Sequence, residues 1–182
     1  LLQLIRPMLS LYLNKNYTYD LVELPKGKRE LGNKWVYKVT TGEVDITPRY
    51  KGRIAVKGFQ QKKGVDFDEI FIPVVKMTSI WTVLSITASM DLEIEQLDVK
   101  TTFLRGELNE EIYMKRPEGF VEKGKENLVC WLKKSLYVLK QAPRQWYKKF
   151  KSFMLEHKFQ KTQVDHCVFI KRYNEGDVLI LL

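Results

Sequence analysis

One carboxylate inside an apolar run constrains this chain more than any other feature. The stretch is Glu95-Gln96-Leu97-Asp98-Val99-Lys100-Thr101-Thr102-Phe103-Leu104. Its apolar, partly β-branched residues Ile94, Leu97, Val99 and Phe103 predict a strand. Asp98 stands in the middle of that strand, and a buried charge needs a partner or a metal. Two placements meet that demand. Asp98 either lies on the solvated face of an edge strand, or it binds a metal at a strand end with Phe103 projecting into the same site.

The flanking sequence predicts a mixed architecture. Residues 1–24 carry no clean period and read as a lead-in, with 25–182 as the domain proper. Runs at Trp35–Val39 and Arg49–Phe59, joined by Thr41-Gly42-Glu43, predict a hairpin. In its second strand Tyr50, Gly52, Ile54 and Val56 alternate with Lys51, Arg53, Ala55 and Lys57, so the cations share one face. Gly64–Pro73 reads as an irregular loop in which Asp66, Asp68 and Glu69 are solvated. A helix capped by Thr78 or Ser79 is expected to run to about Met90 and to be buried, with Ile80, Val83, Leu84 and Thr87 inward. Short strands follow at Glu110–Met114 and Leu128–Leu132. Pro143 opens a helix through about His157, with Trp146, Phe150, Phe153 and Met154 as its buried stripe and Lys148, Lys149 and Lys151 outward. Strands at His166–Lys171 and Val178–Leu182 close the sequence. Strands in hairpins with two packed helices make the fold class α+β, with an antiparallel sheet.

Charge narrows the partners. The chain carries 31 Lys and Arg against 22 Asp and Glu, a net +9, which favours a polyanion, nucleic acid before a membrane surface. Leu1–Leu13 is apolar but interrupted by Arg6 and Pro7, too short for a membrane span and without a signal-peptide cleavage pattern. Cys130 and Cys167 stand apart with only His157 and His166 as histidines, too few ligands for zinc. Two buried reduced thiols are expected, which suits an intracellular compartment. The sequence starts without Met and reads as a piece of a longer protein.

At Leu139-Lys140-Gln141-Ala142-Pro143-Arg144-Gln145-Trp146-Tyr147 the chain resembles the copia-type retrotransposon reverse transcriptases. The strings Gln96-Leu97-Asp98-Val99-Lys100 and Arg49-Tyr50-Lys51-Gly52-Arg53 belong to the same resemblance. So do Asn33-Lys34-Trp35-Val36, Pro73-Val74-Val75-Lys76-Met77, Glu111-Ile112-Tyr113-Met114 and Asp165-His166-Cys167-Val168-Phe169. It spans about Leu21 to Leu182 and implies part of a right-hand polymerase, its fingers and palm. The implied activity is RNA-directed DNA synthesis with two Mg²⁺ ions, and the implied partners are an RNA template, an RNA–DNA hybrid and deoxynucleoside triphosphates. A Pol polyprotein would supply the remaining domains, and the implied location is cytoplasmic, in a virus-like particle, or nuclear.

By the resemblance, Asp98 is the first metal-binding aspartate and the Val99 carbonyl its neighbouring ligand. Lys51 and Arg53 grip the triphosphate, Gln141 supports the nucleotide sugar, and Phe103 is the steric gate against a 2′-hydroxyl. Arg144 and Lys148 are expected to meet nucleic-acid phosphates. The departures matter too. The family continues past a strand like Val178–Leu182 into Tyr-Val-Asp-Asp, so this chain alone is expected to be incomplete at the metal site and inactive. Val138 replaces a usual Gly, Thr102 a usual Ala, and Trp81 and Trp131 stand for Arg. A residue at Val138 that required φ > 0 would be strained. Two rival readings remain: a dead remnant that still binds nucleic acid, and a relic that binds nothing specific.

Overall fold

The computed structural model describes residues 13, 16–41, 48–120, 124–173 and 176–181. The fold is mixed, with antiparallel ladders and two α-helices, consistent with the α+β class. The chain divides into two compact units, residues 1–70 with 101–146, and residues 71–100 with 147–182.

The first unit holds β1 (Tyr19–Glu23), β2 (Glu30–Leu31), β3 (Asn33–Thr40), β4 (Arg49–Val56), β5 (Glu107–Met114) and β6 (Leu128–Lys134). β1, β6, β5 and β2 form a sheet in that order, antiparallel except for the β5–β2 pair. β1 thus falls inside the segment read as a lead-in. Its five residues alternate too weakly in hydrophobicity to declare a strand, and the pairing Tyr19–Leu132 to Glu23–Leu128 supplies what the pattern lacks. Leu31, Ile112, Met114, Cys130 and Leu132 form the sheet's contribution to the core, joined by Leu104, Leu136, Leu139 and Ala142.

β3 and β4 make the expected hairpin, in register from Asn33–Val56 to Thr40–Arg49. Gly42 and Glu43 of its predicted turn lie outside the described residues. β4 ends at Val56 rather than Phe59, because the chain enters a short 3-10 helix at Gly58–Gln60. Gly58 is required there: a Cβ on it would lie 2.1 Å from the Val138 carbonyl oxygen, a backbone atom that cannot swing aside.

The second unit holds α1 (Met77–Ser89) and most of α2 (Ala142–Glu156), with β7 (Gln160–Lys161), β8 (Val168–Tyr173) and β9 (Gly176–Leu181) in one antiparallel sheet. Neither Thr78 nor Ser79 caps α1. The N-cap is Lys76, in extended conformation with no side-chain cap bond of its own. The orphan N–H groups of a helix start still need acceptors, and Asp165, far along the chain, takes that part: the Lys76 N–H donates to its Oδ2 at 2.8 Å. The expected burial of α1 is also corrected. Only Thr87 is fully buried, while Trp81 is 64% exposed and Leu84 is 39% exposed. In α2, Met154 is buried but Phe153 is 52% exposed and stacks on His157 instead. Trp146, Phe150 and Met154 follow a four-residue step along one face; Phe153 falls off it by one residue, about 100° round the helix.

Both cysteines are buried and free, as expected. Burial pushes the Cys130 thiol up to about 12, although the Arg116 charge pulls the other way. No helix among the described residues is long and apolar enough to cross a membrane.

Candidate nucleotide and nucleic-acid site

The antiparallel register of β3 and β4 decides which side chains share a face. Lys34 is opposite Ala55, Val36 opposite Arg53, and Lys38 directly opposite Lys51. Lys34, Lys38, Lys51 and Arg53 are all exposed, and no ion pair among the described residues engages them. Like charges directly opposite in a ladder destabilise it, so this face is suited to a phosphate-bearing ligand. Lys34 and Lys38 went unassigned from the sequence, because register, not spacing within one strand, places them beside Lys51 and Arg53.

Arg53 has a second contact that only the tertiary fold provides. Its guanidinium carbon lies 4.9 Å from the centroid of the Tyr137 ring. Phe103 meets the same ring edge-on, with centroids 5.0 Å apart and planes at 84°. Phe103 is half-buried against the core and stands in a short 3-10 helix, Thr102–Arg105. Tyr137 is held by its backbone: its carbonyl accepts the Val56 N–H at 3.1 Å, and it bridges to Ala55.

Gln141 is fully buried, and its amide is committed within the protein. Its Nε2 donates to the Asp66 carbonyl at 2.9 Å, and its Oε1 accepts from Gln61 Nε2 at 2.9 Å. Gln61 Oε1 in turn accepts the Lys140 N–H at 2.8 Å. Asp66 also departs from expectation. Its carboxylate is not solvated but buried, pairing with Arg29 and accepting the Lys62 N–H at 2.7 Å. This network ties the loop 61–67 to the turn before α2. Arg144 lies half-buried in the first turn of α2, and Lys148 is exposed one turn later.

Val138 has φ +72°, the conformation its sequence position raised as a question. A β-branched residue there is strained by roughly 1–2 kcal/mol. Its side chain is 59% exposed, so truncation removes little packing. Val138→Gly is expected to raise stability by about 0.5–1 kcal/mol after the unfolded-state entropy of Gly is set against the strain. Thermal melting monitored by circular dichroism checks it; a melting temperature unchanged or lowered would refute the strain argument.

The predicted strand around Asp98 does not form. Residues 92–99 have no regular secondary structure, 91–100 are all exposed, and Leu97 is 83% exposed. The β-branched residues have the propensity, but none of the described strands pairs with them, and a strand without a ladder is not stable. Thr101 follows in the left-handed region, φ +59° and ψ +34°, and turns the chain into the 3-10 helix that carries Phe103. Asp98, Val99 and Lys148 belong to the second unit, whereas Lys51, Arg53, Phe103, Gln141 and Arg144 belong to the first. Among the described residues no group of three or more His, Cys, Asp or Glu could hold a metal ion. A carboxylate and a backbone carbonyl are the hard oxygen donors Mg²⁺ takes, so Asp98 and Val99 suit it in kind and furnish only a fraction of its shell.

The Asp165 string proves structural. Burial alone would push the Asp165 carboxyl up, but hydrogen bonds from Ser79 and from the N–H groups of Lys76 and Cys167, with the Lys76 charge, hold it below the usual range. Two of the sequence strings, Pro73–Met77 and Asp165–Phe169, are thereby joined.

The family described as Reverse transcriptase (RNA-dependent DNA polymerase) matches residues 16–182. Over 170 residues the chain is 63% identical to the Retrovirus-related Pol polyprotein from transposon TNT 1-94 of Nicotiana tabacum, covering 93% of the chain and 13% of that protein. It is 38% identical over 168 residues to the corresponding polyprotein from transposon RE1 of Arabidopsis thaliana, and 37% identical over 168 residues to that from transposon RE2 of the same plant. Each of those two matches covers 92% of the chain and 12% of the relative. The chain therefore spans 12–13% of the length of these curated relatives. No solved structure matches it. With the family match running nearly end to end, the chain belongs to the reverse transcriptase (RNA-dependent DNA polymerase) family, among the Pol polyproteins of copia-type transposons.

Proposed function

We propose that this chain is the fingers and part of the palm of an RNA-directed DNA polymerase, working within a Pol polyprotein on an RNA template and deoxynucleoside triphosphates. The observation that carries the proposal is the β3–β4 face, where Lys34, Lys38, Lys51 and Arg53 stand exposed with Lys38 directly opposite Lys51. Such a face is suited to phosphate oxygens, whether of a triphosphate or of a nucleic-acid backbone.

In the reaction, a primer 3′-oxygen attacks the α-phosphate of the incoming nucleotide and pyrophosphate departs. Lys51 and Arg53 hold the triphosphate in line and offset charge gathering on the departing phosphates. Gln141, fixed through Gln61 and Asp66, keeps the turn before α2 in place behind the nucleotide. Phe103 presents a ring to the sugar and excludes a 2′-hydroxyl by contact. Asp98 and the Val99 carbonyl would hold part of the shell of Mg²⁺, which when bound lowers the pKa of the primer hydroxyl and neutralises the leaving group. Arg144 and Lys148 meet template or primer phosphates without reading sequence.

Affinity for an RNA–DNA hybrid, measured by fluorescence anisotropy across a salt series, tests the binding half of this reading. Lys38→Ala with Lys51→Ala should flatten the slope of log K against log salt by about 1.4–1.8, the release of two phosphate contacts. A salt-independent affinity, or a slope untouched by the double variant, would remove the hairpin from the interface. The gate is tested separately. Phe103→Ala should raise UTP use relative to dTTP about tenfold or more in single-nucleotide primer extension. An unchanged ratio would return Phe103 to the core.

A further inference from the structure

Tyr137 was assigned no role by sequence, yet it touches two residues of different function. The Arg53 guanidinium lies over its ring and the Phe103 ring stands nearly perpendicular to it, each about 5 Å from the one centroid. The backbone of Tyr137 is not free to follow either partner. Its carbonyl is tied to the Val56 N–H, and the next residue, Val138, turns at φ +72° with its own carbonyl over Gly58. A backbone seated this way on the end of β4 fixes the point from which the ring projects, and the two ring contacts set its orientation.

We propose that Tyr137 is a positioning residue that couples the triphosphate grip to the sugar gate. The inference rests on the roles given above to Arg53 and Phe103. An arginine side chain is long and rotamer-rich, and a ring face beneath it holds the planar guanidinium without consuming its hydrogen-bond donors. Those donors stay available to phosphate oxygens. An edge-to-face contact likewise sets the plane of the Phe103 ring. Sugar and triphosphate belong to one nucleotide, so one ring contacting both recognition groups keeps their spacing constant. Loss of Tyr137 should then weaken triphosphate binding and loosen sugar selection together. Those two properties would be independent if Arg53 and Phe103 acted alone.

The experiment is steady-state single-nucleotide extension of an oligo(dT) primer on poly(rA), with dTTP and UTP, by a Pol polyprotein carrying this chain. Tyr137→Leu should raise the KM for dTTP about fivefold to tenfold and raise the UTP-to-dTTP ratio about tenfold, as expected for a lost ring contact on each side. Tyr137→Phe, which keeps face and edge, should stay within about twofold on both. Arg53→Met should cost less in the Tyr137→Leu background than alone, because the two act as one unit. A fall in kcat and melting temperature with KM and the sugar ratio unchanged would make Tyr137 merely structural and overturn the proposal. Additive effects of Arg53→Met and Tyr137→Leu would overturn it too. An unchanged sugar ratio in Phe103→Ala would fell the gate, and the coupling with it; that outcome is read without any Tyr137 variant.

Discussion

Asp98→Asn in a Pol polyprotein carrying this chain is expected to lower primer extension at least about a thousandfold, the several kcal/mol that divalent-metal charge stabilisation supplies to phosphoryl transfer. Affinity for an RNA–DNA hybrid should stay within about threefold, because phosphate contacts by cations, not this carboxylate, supply it. The substitution is nearly isosteric; it removes the charge and exchanges one acceptor oxygen for an NH2 donor. Asp98 is exposed, and no hydrogen bond or ion pair among the described residues uses its carboxylate. Its loss therefore leaves no buried group unpaired, and the melting temperature should not move. That combination separates chemistry from folding. Extension within about tenfold of wild type, measured on poly(rA) with Mg²⁺, would strip Asp98 of its metal role.

Asp165→Ala is expected to cost about 2–3 kcal/mol, because it leaves a buried donor and a part-buried one without their charged acceptor. Asp165 is 4% exposed, and its carboxylate accepts the Lys76 N–H at 2.8 Å and the Cys167 N–H at 2.9 Å. For a chain of this length the loss corresponds to a melting temperature lower by roughly 5–10 °C. Acidity provides the second arm. The folded Asp165 carboxyl sits below its ordinary value, so its contribution is fully present above the unfolded value near 3.9 and is lost as pH falls through the lower folded one. The gap in stability between wild type and Asp165→Ala should thus be widest near pH 6 and begin to narrow below about pH 4. A gap of equal size at pH 6 and pH 3, by urea titration, would show that the charge is not what matters. Ser79→Ala should cost less, since it removes one of the several donors.

Elements with a strong local signal were legible. The β3–β4 hairpin, β5, β6, α2 and the closing β8–β9 pair lie within a few residues of their predicted positions, because period, turn residues and Pro143 are properties of short stretches. β1 was missed, since its strand character comes from pairing with β6 rather than from its own alternation. The run around Asp98 failed the other way. Its apolar β-branched residues announce a strand, and without a hydrogen-bonded neighbour among the described strands the chain stays irregular there.

What the sequence by itself determined is the identity of the groups: a basic hairpin, a carboxylate at Asp98, an aromatic at Phe103, and ordered strings that place the chain in the reverse transcriptase family. It also raised the strain at Val138, because residue type and the demand for φ > 0 meet at one position. Tertiary structure alone decided who touches whom. Lys38 faces Lys51 through strand register, Arg53 and Phe103 meet on Tyr137, Gln141 gives its amide to Gln61 and Asp66, and Asp165 accepts at the start of α1. Apart from the hairpin register, these contacts join residues distant in sequence, and no local period encodes a partner that only the folded chain brings within reach.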